Sequence, residues 1–502
     1  MASTDPPRSP HALVVPALPA GHTIACLRLA RALLAAGFHV SFLHFSSKLP
    51  TATQEKFASS QDKYMPLADD AGIRTYVIAD SIPPEHVDKP FFDTPAMTDN
   101  LLSLLLHLRE QSHPPTCLIS DSFVPWTARV AKRVGIPRIE FWTSNALSYL
   151  LNLNVPALCK ENIFPERALA KERGNRMPFP PVWKSESSLM LDCIPCLRPI
   201  PSELFPAPIR FEKGPHPFLA LLQEVCSCVE LSERLLIYSL SELEPDAFRG
   251  LQAMGLRAYA VGGPLFLQGT TKTEIGKDVQ HHKPGAARET DEVKPSSTQS
   301  SVKENVDCLQ WLDTQAEASV IYVAFGTVVS LFAEDVEELA MGLEACGNPF
   351  LWAMREDSRG GIKAGRRGKG MVTNWAPQVK VLAHKAIGGF LTHCGWNSTV
   401  ESMWEGVPML GCPQLGDQTS NMWCVCELWG TGLELQRANR GGLRRAYVEA
   451  GVKALLEGEE GRRARKRAGE MKKVMREACQ QESGESFTNL LWLYEDMKAK
   501  SS

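Results

Sequence analysis

Apolar residues along the chain alternate between short Val-containing runs and stretches with a helical period. Residues 11–19 form an apolar run, and residues 24–34 then carry apolar side chains at helical spacing. Val40, Phe42 and Phe45 mark a second strand. Strand, tight turn, helix and strand form a βαβ unit, and repeats of this unit predict a parallel sheet covered on both faces.

The same alternation continues through the rest of the chain. Further strands are predicted over residues 117–120, 136–142, 320–325, 350–354, 371–375, 387–392 and 407–410. Helices are predicted over residues 126–134, 334–346 and 398–404. At 502 residues the chain is too long for one hydrophobic core, so the pattern indicates two α/β domains. Ligands of such sheets bind beyond the carboxyl ends of the strands, which favours a cleft between the two domains.

Composition and charge narrow the classes of partner. With 54 basic and 57 acidic residues, a formal net charge of −3 gives no field that attracts nucleic acid or anionic lipid. Apolar runs fall short of the roughly 18 residues that a membrane span needs. The N-terminus is a poor match to a secretory leader, so the 14 cysteines are interpreted as reduced thiols. We therefore expect a cytoplasmic protein with small-molecule partners, no nucleic acid and no integral membrane association.

Residues 393–398 give the strongest indication of a binding site. The strand over residues 387–392 ends at His393-Cys394-Gly395, and Asn397 and Ser398 begin a helix. Unpaired N–H groups at a helix start form an anion site. A diphosphate there would meet the Ser398 hydroxyl, the Asn397 amide and the His393 ring as further donors. Such a site would stabilise a leaving diphosphate without a metal.

Neighbouring side chains suit the rest of a nucleotide sugar. Glu401 lies one turn after Asn397, where its carboxylate could accept bonds from a ribose. Trp375 closes a predicted strand, where its ring could lie against a nucleobase. Asp417 and Gln418 offer acceptors and donors for sugar hydroxyls. Taken singly, each has a structural alternative, since a lone Trp is often core and Asn-Ser is often a helix cap.

The 44 residues from 375 to 418 (418 − 375 + 1) resemble throughout the donor-binding signature of plant secondary-product UDP-glycosyltransferases, the family 1 glycosyltransferases. Residues 19–22, 119–121, 141–143 and 325–327 also resemble landmarks of this family. The resemblance implies the α/β GT-B fold, two facing Rossmann-like domains with parallel sheets and an interdomain cleft. It implies that the N-terminal domain binds the acceptor and the C-terminal domain the donor.

On this basis we predict the domain boundaries. Residues 1–260 form the acceptor domain, 261–310 a linker containing the polar stretch 268–304, and 311–482 the UDP-sugar domain. Residues 483–502 form a terminal helix that crosses back to the N-terminal domain.

The resemblance also assigns roles to individual residues. His22 would be the general base, and Asp121 would accept its other ring N–H. Thr143 and Thr327 would contact the sugar and the diphosphate, and Ala376 and Gln378 the uridine. Trp396, Asp417 and Gln418 match residues that favour glucose in this family. The catalytic pair is therefore His22 and Asp121, and the predicted donor-binding set is Thr143, Thr327, Trp375, Ala376, Gln378, His393, Trp396, Asn397, Ser398, Glu401, Asp417 and Gln418.

The resemblance implies an inverting transferase that moves glucose from UDP-glucose to a hydroxyl of a small lipophilic acceptor, such as a flavonoid, phenolic, terpenoid or hormone. No cofactor or metal is expected, and the protein is expected to be a monomer. Another UDP-sugar or a non-catalytic nucleotide-sugar-binding protein are alternatives, and product analysis would distinguish a hydrolase or an epimerase. A dinucleotide-dependent oxidoreductase is disfavoured because the Gly-x-Gly-x-x-Gly spacing is missing from the first turns.

Two points stay open at this level. Segments 83–98, 146–160 and 176–208 are predicted as loops lining the acceptor pocket, but their chemistry selects no particular acceptor. Departures from the family pattern occur at Ala20, Ala25, Ala324 and Gly416.

Overall fold

The computed structural model describes residues 9–60, 62–82, 94–161, 189–205, 217–262, 308–326, 331–355, 369–438, 442–479 and 484–500. We call the described residues between 9 and 262 the first lobe, and those between 308 and 479 the second lobe. The strands of the first lobe are β1 His11–Val15, β2 His39–Phe45, β3 Tyr64–Pro66, β4 Arg74–Ile78, β5 Cys117–Asp121, β6 Arg138–Trp142, β7 Met190–Leu191, β8 Ile200–Pro201, β9 Arg234–Ile237 and β10 Ala258–Ala260. Its helices are α1 Ala20–Ala35, α2 Thr51–Ser60, α3 Pro95–Arg109, α4 Thr127–Val134, α5 Ala146–Lys160, α6 Pro217–Cys228 and α7 Pro245–Ala253.

The second lobe has the same kind of alternation. Its strands are β11 Val320–Ala324, β12 Phe350–Ala353, β13 Gly370–Thr373, β14 Ile387–Thr392, β15 Met409–Gly411 and β16 Gly432–Glu434. Its helices are α8 Ala333–Cys346, α9 Gln378–Leu382, α10 Trp396–Glu405, α11 Gln418–Trp423, α12 Arg445–Leu456 and α13 Glu459–Ala478, and the final helix of the chain is α14 Glu485–Lys500.

The eight-stranded sheet of the first lobe has the order β10-β9-β6-β5-β1-β2-β4-β3. Its pairings are parallel except for the edge pair β3 and β4. From β1 the chain builds outward through β2 and β4, and it then returns to place β5 on the other side of β1. The strand order therefore reverses between β1 and β5, which is where α/β sheets open a crevice for ligands.

The second lobe repeats this arrangement in a six-stranded parallel sheet of order β13-β12-β11-β14-β15-β16. Here the order reverses between β11 and β14, whose last residues Ala324 and Thr392 are paired. Phe325 and His393, the residues that follow these strands, thus lie at the same edge of the sheet. The GT-B expectation of two Rossmann-like parallel sheets is confirmed.

The two lobes share one continuous apolar cluster that includes Leu240 and Trp429. Two indole groups of the second lobe donate to backbone carbonyls of the first: Trp396 Nε1 lies 2.5 Å from the oxygen of Tyr238, and Trp429 Nε1 lies 2.9 Å from that of Leu243. Helix α14 then contacts the first lobe, where the Asn489 amide donates to the carbonyl of Ala260 over 2.7 Å. The lobes are therefore held together by packing and by directional bonds.

Several predicted elements differ from the structure. Strand β13 ends at Thr373 because the Thr373 hydroxyl donates to the Trp375 carbonyl over 2.9 Å and turns the chain out of the sheet, so Trp375 lies in a loop. Helix α10 begins at Trp396, two residues before the predicted start. Segment 146–160, predicted as a loop, is helix α5, whose first turn is capped by the Asn145 side chain accepting from Ser148 N over 2.7 Å.

The buried face of α1 is also rotated from the predicted one. Ile24, which belonged to the predicted apolar stripe, is 43% exposed, whereas Arg28 is only 6% exposed. The predicted domain boundaries stay a prediction, and the polar stretch 268–304 lies outside the described residues.

Candidate active site

His22 occupies the first turn of α1, directly beyond the carboxyl end of β1. The helix begins at Ala20 after Pro19, whose carbonyl accepts from the His22 backbone N–H over 3.0 Å. Asp121 is the last residue of the neighbouring strand β5 and is fully buried. The switch point of the first sheet thus brings the two residues together, with His22 Nδ1 2.7 Å from Asp121 Oδ2.

The contact defines the tautomer of the histidine. An ionised carboxylate only accepts hydrogen bonds, so Nδ1 carries a proton and Nε2 carries the lone pair of the neutral ring. The other carboxylate oxygen, Oδ1, accepts from the Phe123 backbone N–H over 2.9 Å, which fixes the Asp121 side chain. The Phe123 ring packs edge-on against the imidazole at 5.4 Å between centroids. Thr143 Oγ1 lies 3.0 Å from the same Nδ1, so this predicted sugar contact touches the base as well.

Charge around the ring changes its basicity. Burial lowers the pKa of His22, but the charge and hydrogen bond of Asp121 and the charge of Asp417 raise it by more, and the pKa lies above its ordinary value of 6.5. The effect of Asp417 is notable because this residue belongs to the second lobe. The pKa of the imidazole therefore depends on residues of both lobes.

The start of α10 is the position predicted to bind an anion. Gly395 is the N-cap residue, and in this described stretch no side chain caps the helix. In the turn before the helix, Cys394 adopts a left-handed conformation, with φ of 60°. Gly395 is required because an added Cβ would lie 2.4 Å from His393 Nε2. The glycine leaves room for the histidine ring.

His393 lies buried between two glycines at the switch point of the second sheet. A Cβ on Gly326 would also clash with its Nε2, at 2.7 Å. Burial lowers the pKa of His393 to about 4, so the ring is neutral near pH 7. Among the described residues, its Nδ1 atom has no hydrogen-bond partner. An unpartnered buried polar atom beside an uncapped helix start is consistent with a ligand-binding position.

Glu401 and Ser398 are linked by Gln378, which was expected to contact uridine. Gln378 Nε2 donates to Ser398 Oγ over 3.0 Å and to Glu401 Oε2 over 2.7 Å. The remaining oxygen of Glu401 accepts from Arg28 of α1, and both side chains are only 7% exposed. Arg28 was not identified from the sequence, because the predicted apolar stripe of α1 did not mark position 28 as facing inward.

Asp417 and Gln418 stand at the start of α11. Asp417 Oδ2 accepts from Asn421 Nδ2 over 3.0 Å and from the hydroxyl of Ser144 in the first lobe. The amide oxygen of Gln418 accepts from the backbone of its own loop, at 2.8 Å from Gln414 N. Gly416, a departure from the family pattern, has a φ of 63°, a conformation that alanine adopts only with strain. Like Arg28, Ser144 was missed.

Other residues that were predicted to bind the nucleotide sugar are placed differently. The indole of Trp396 is buried and donates to Tyr238, so the Trp396 side chain serves the lobe interface. Trp375 is 37% exposed in its loop, and Ala376 beside it is buried. Thr327 lies outside the described residues.

The two switch points meet directly. Asn397 Nδ2, at the start of α10, donates to the backbone oxygen of Gly21 over 2.9 Å. Because Gly21 directly precedes His22, the residue that contacts the predicted diphosphate site is the sequence neighbour of the predicted base. Within the described ranges, His, Cys, Asp and Glu side chains form no group of three or more that could hold a metal ion. None of the described helices has both the length and the hydropathy to cross a bilayer.

Comparison with known proteins agrees with this geometry. The family described as UDP-glucoronosyl and UDP-glucosyl transferase matches residues 296–463. UDP-glycosyltransferase 85A8 of Stevia rebaudiana is 30% identical over 518 residues, covering 99% of both chains. The 7-deoxyloganetin glucosyltransferase of Gardenia jasminoides is 29% identical over 98% of both chains. The structure of Phytolacca americana UGT2 complexed with UDP-2fluoro-glucose and pterostilbene is 27% identical, covers 97% of this chain and 100% of that chain, and has a TM-score of 0.73.

The facing switch points of two Rossmann-like sheets, together with these similarities, define a GT-B glycosyltransferase. The chain belongs to the plant UDP-glycosyltransferase family. The recognition made from the sequence is thereby confirmed, and the protein is an enzyme.

Proposed function

We propose that this enzyme transfers glucose from UDP-glucose to a hydroxyl group of a small lipophilic acceptor, with inversion at the anomeric carbon and without a metal. The observation that carries the proposal is the 2.7 Å contact between His22 Nδ1 and Asp121 at the point where α1 meets the start of α10.

The positions of these groups support the following reaction. His22 Nε2 takes the proton of the acceptor hydroxyl, and the oxygen forms a bond to C1 of the sugar. The bond between C1 and the diphosphate oxygen breaks with its electron pair going to the diphosphate. The uncapped N–H groups of α10 stabilise the charge that develops there. Asp121 stabilises the imidazolium that forms. A single displacement from the opposite face gives a β-glucoside from an α-linked donor.

Glucose as the donor sugar is supported by the pair Asp417 and Gln418, which resembles the glucose-preferring pair of the family. Asp417 already accepts a hydrogen bond from the hydroxyl of Ser144, and a sugar hydroxyl would make the same kind of bond. Two of the similar proteins are named for glucose chemistry: one is a glucosyltransferase, and another was solved with UDP-2fluoro-glucose. Their acceptors, 7-deoxyloganetin and pterostilbene, differ in class, so for this chain we propose only a lipophilic acceptor.

The test is a product assay with the purified enzyme. UDP-glucose, UDP-galactose and UDP-glucuronic acid are each incubated with a mixed aglycone library, and products are identified by mass spectrometry. The anomeric proton coupling in the NMR spectrum then distinguishes β from α linkage. Gain of a hexose by an acceptor with UDP-glucose, unchanged by EDTA, supports the proposal. Donor loss without an acceptor product would indicate hydrolysis instead.

Replacement of the base separates binding from chemistry. His22→Ala is expected to lower kcat by about 100-fold to 10,000-fold, the usual contribution of a general base, while UDP binds with nearly unchanged affinity. His107→Ala serves as the matched control, because His107 is an exposed residue on α3. Transfer at the wild-type rate by His22→Ala would refute the assignment of the base.

A further inference from the structure

A buried cation from the first lobe reaches the donor-binding helix of the second. The guanidinium of Arg28 donates to Glu401 Oε1 through Nη2, to the Tyr238 hydroxyl over 3.0 Å and to Asn397 Oδ1 over 3.3 Å through Nη1. Arg28 is 6% exposed and Glu401 is 6% exposed. A charge buried to this degree is strongly unfavourable without partners, so the ion pair is a fixed part of the interface between the lobes.

The Glu401 carboxylate has acceptor capacity for a further ligand. Each carboxylate oxygen can accept two hydrogen bonds. Oε1 accepts one from Arg28 and Oε2 accepts one from Gln378 over 2.7 Å. Because the two donors bind different oxygens, they hold the carboxylate in place. Each oxygen can still accept one more hydrogen bond, so the carboxylate can accept from two adjacent hydroxyl groups.

Arg28 also orients Asn397. The amide oxygen of Asn397 faces the Arg28 guanidinium, and its amide nitrogen donates to the carbonyl of Gly21 over 2.9 Å. Both partners lie on α1, the helix whose first turn carries His22. One arginine thus ties the helix of the base to the two residues of α10 predicted to hold ribose and diphosphate.

We propose that Arg28 is a positioning residue for the nucleotide, holding Glu401 ready for the two ribose hydroxyls and Asn397 ready for the diphosphate. This inference rests on the proposed function, because it takes Glu401 as the ribose ligand. Arg28 itself contacts no substrate. Its effect should therefore appear in donor affinity and in the recognition of the ribose hydroxyls, and less in the chemical step.

The experiment compares UDP with 2′,3′-dideoxy-UDP, which lacks both hydroxyls. Dissociation constants are measured by calorimetry for the full-length wild type, Arg28→Met, Arg28→Lys and the control Arg31→Met. Arg31 lies on the same helix and pairs with Asp70 at 3.4 Å, away from the donor site. Steady-state kinetics with UDP-glucose supply KM and kcat.

Wild type and Arg31→Met should bind UDP more tightly than the dideoxy analogue. Arg28→Met should weaken UDP binding by about 10-fold to 100-fold, which corresponds to about 1.4–2.7 kcal/mol. Its affinity for the dideoxy analogue should fall less, because that ligand loses only the contribution of Asn397 to diphosphate binding. The ratio between the two ligands should therefore fall towards one. KM for UDP-glucose should rise more than kcat falls.

Arg28→Lys keeps the buried positive charge, so it tests the inference even if Arg28→Met fails to fold. A single ammonium cannot match the planar fork that reaches Glu401, Tyr238 and Asn397 together, so the ratio should fall part of the way. An unchanged ratio in Arg28→Lys or Arg28→Met, or tighter UDP binding in either, would overturn the inference. A wild type that neither binds UDP nor transfers sugar would instead refute the proposed function.

Discussion

The substitution Asp121→Asn tests whether the orientation of His22 determines catalysis. Asp121 makes two bonds: Oδ1 accepts from the Phe123 N–H over 2.9 Å, and Oδ2 accepts from His22 Nδ1 over 2.7 Å. An asparagine must direct its oxygen to the Phe123 N–H, since its amide nitrogen there would place two donors face to face. Its NH₂ group then faces His22 Nδ1.

This arrangement inverts the tautomer of the imidazole. Nδ1 must become the acceptor, so the proton of the neutral ring moves to Nε2, the atom that should take a proton from the acceptor substrate. The base function is lost although the packing is nearly unchanged. General-base catalysis contributes about 100-fold to 10,000-fold, so the barrier should rise by about 3–5 kcal/mol.

The assay is kcat for glucosyl transfer at saturating UDP-glucose, with UDP affinity measured by calorimetry on the same samples. UDP binding should stay within about threefold of wild type, because Asp121 is fully buried in the first lobe, whereas the predicted diphosphate site lies in the second. Asp246→Asn on α7 is the control, since Asp246 forms an exposed pair with Arg249 at 2.5 Å. A kcat for Asp121→Asn within about threefold of wild type would refute the reasoning.

Further predictions concern the pKa of His22 and the glycine before α10. The pKa of His22 is raised above 6.5, so kcat/KM should fall as the pH drops through a midpoint above 6.5, and a midpoint below 6.5 would contradict this. Because the folded protein raises this pKa, protonation of His22 stabilises the fold. The stabilisation is fully present below about pH 6.5 and is lost as the pH rises through the raised pKa. The difference in Tm between wild type and His22→Ala should follow the same pH dependence. Gly395→Ala should lower stability by about 1–3 kcal/mol and weaken UDP binding, because its Cβ would overlap His393, as denaturant unfolding and calorimetry can measure. The control Gly469→Ala, on α13 with open space at its Cβ, should not lower stability.

Sequence reasoning located those parts of the site that follow strands. Asp121 ends strand β5, His393 follows strand β14, and His22 lies in the first turn of the helix after β1. Parallel sheets gather such positions at one edge. The contact between His22 and Asp121 could be anticipated for that reason. Their roles as base and orienting acid remain predictions.

The residues that join the lobes could not be anticipated in the same way. Arg28 pairs with Glu401 across 373 positions of sequence, and Ser144 pairs with Asp417 across 273. No local period encodes such a contact. The apolar stripe predicted for α1 included Ile24, which is exposed, and this rotation of the helix concealed that Arg28 faces inward. A cationic side chain on the inner face of a helix is informative only when the element packed against it is known.

The two missed contacts have different consequences for the binding of a donor. At Glu401, Arg28 and Gln378 each occupy one acceptor position, so ribose hydroxyls can be added without removing either donor. At Asp417, one oxygen already accepts from both Asn421 and Ser144, so a sugar hydroxyl at that oxygen must replace an existing bond. An exchange of one hydrogen bond for another contributes little net free energy, whereas an added bond to a charged group contributes about 1.5–3 kcal/mol. A sugar hydroxyl bound at Oδ2 of Asp417 should therefore add less to donor affinity than a ribose hydroxyl bound at Glu401.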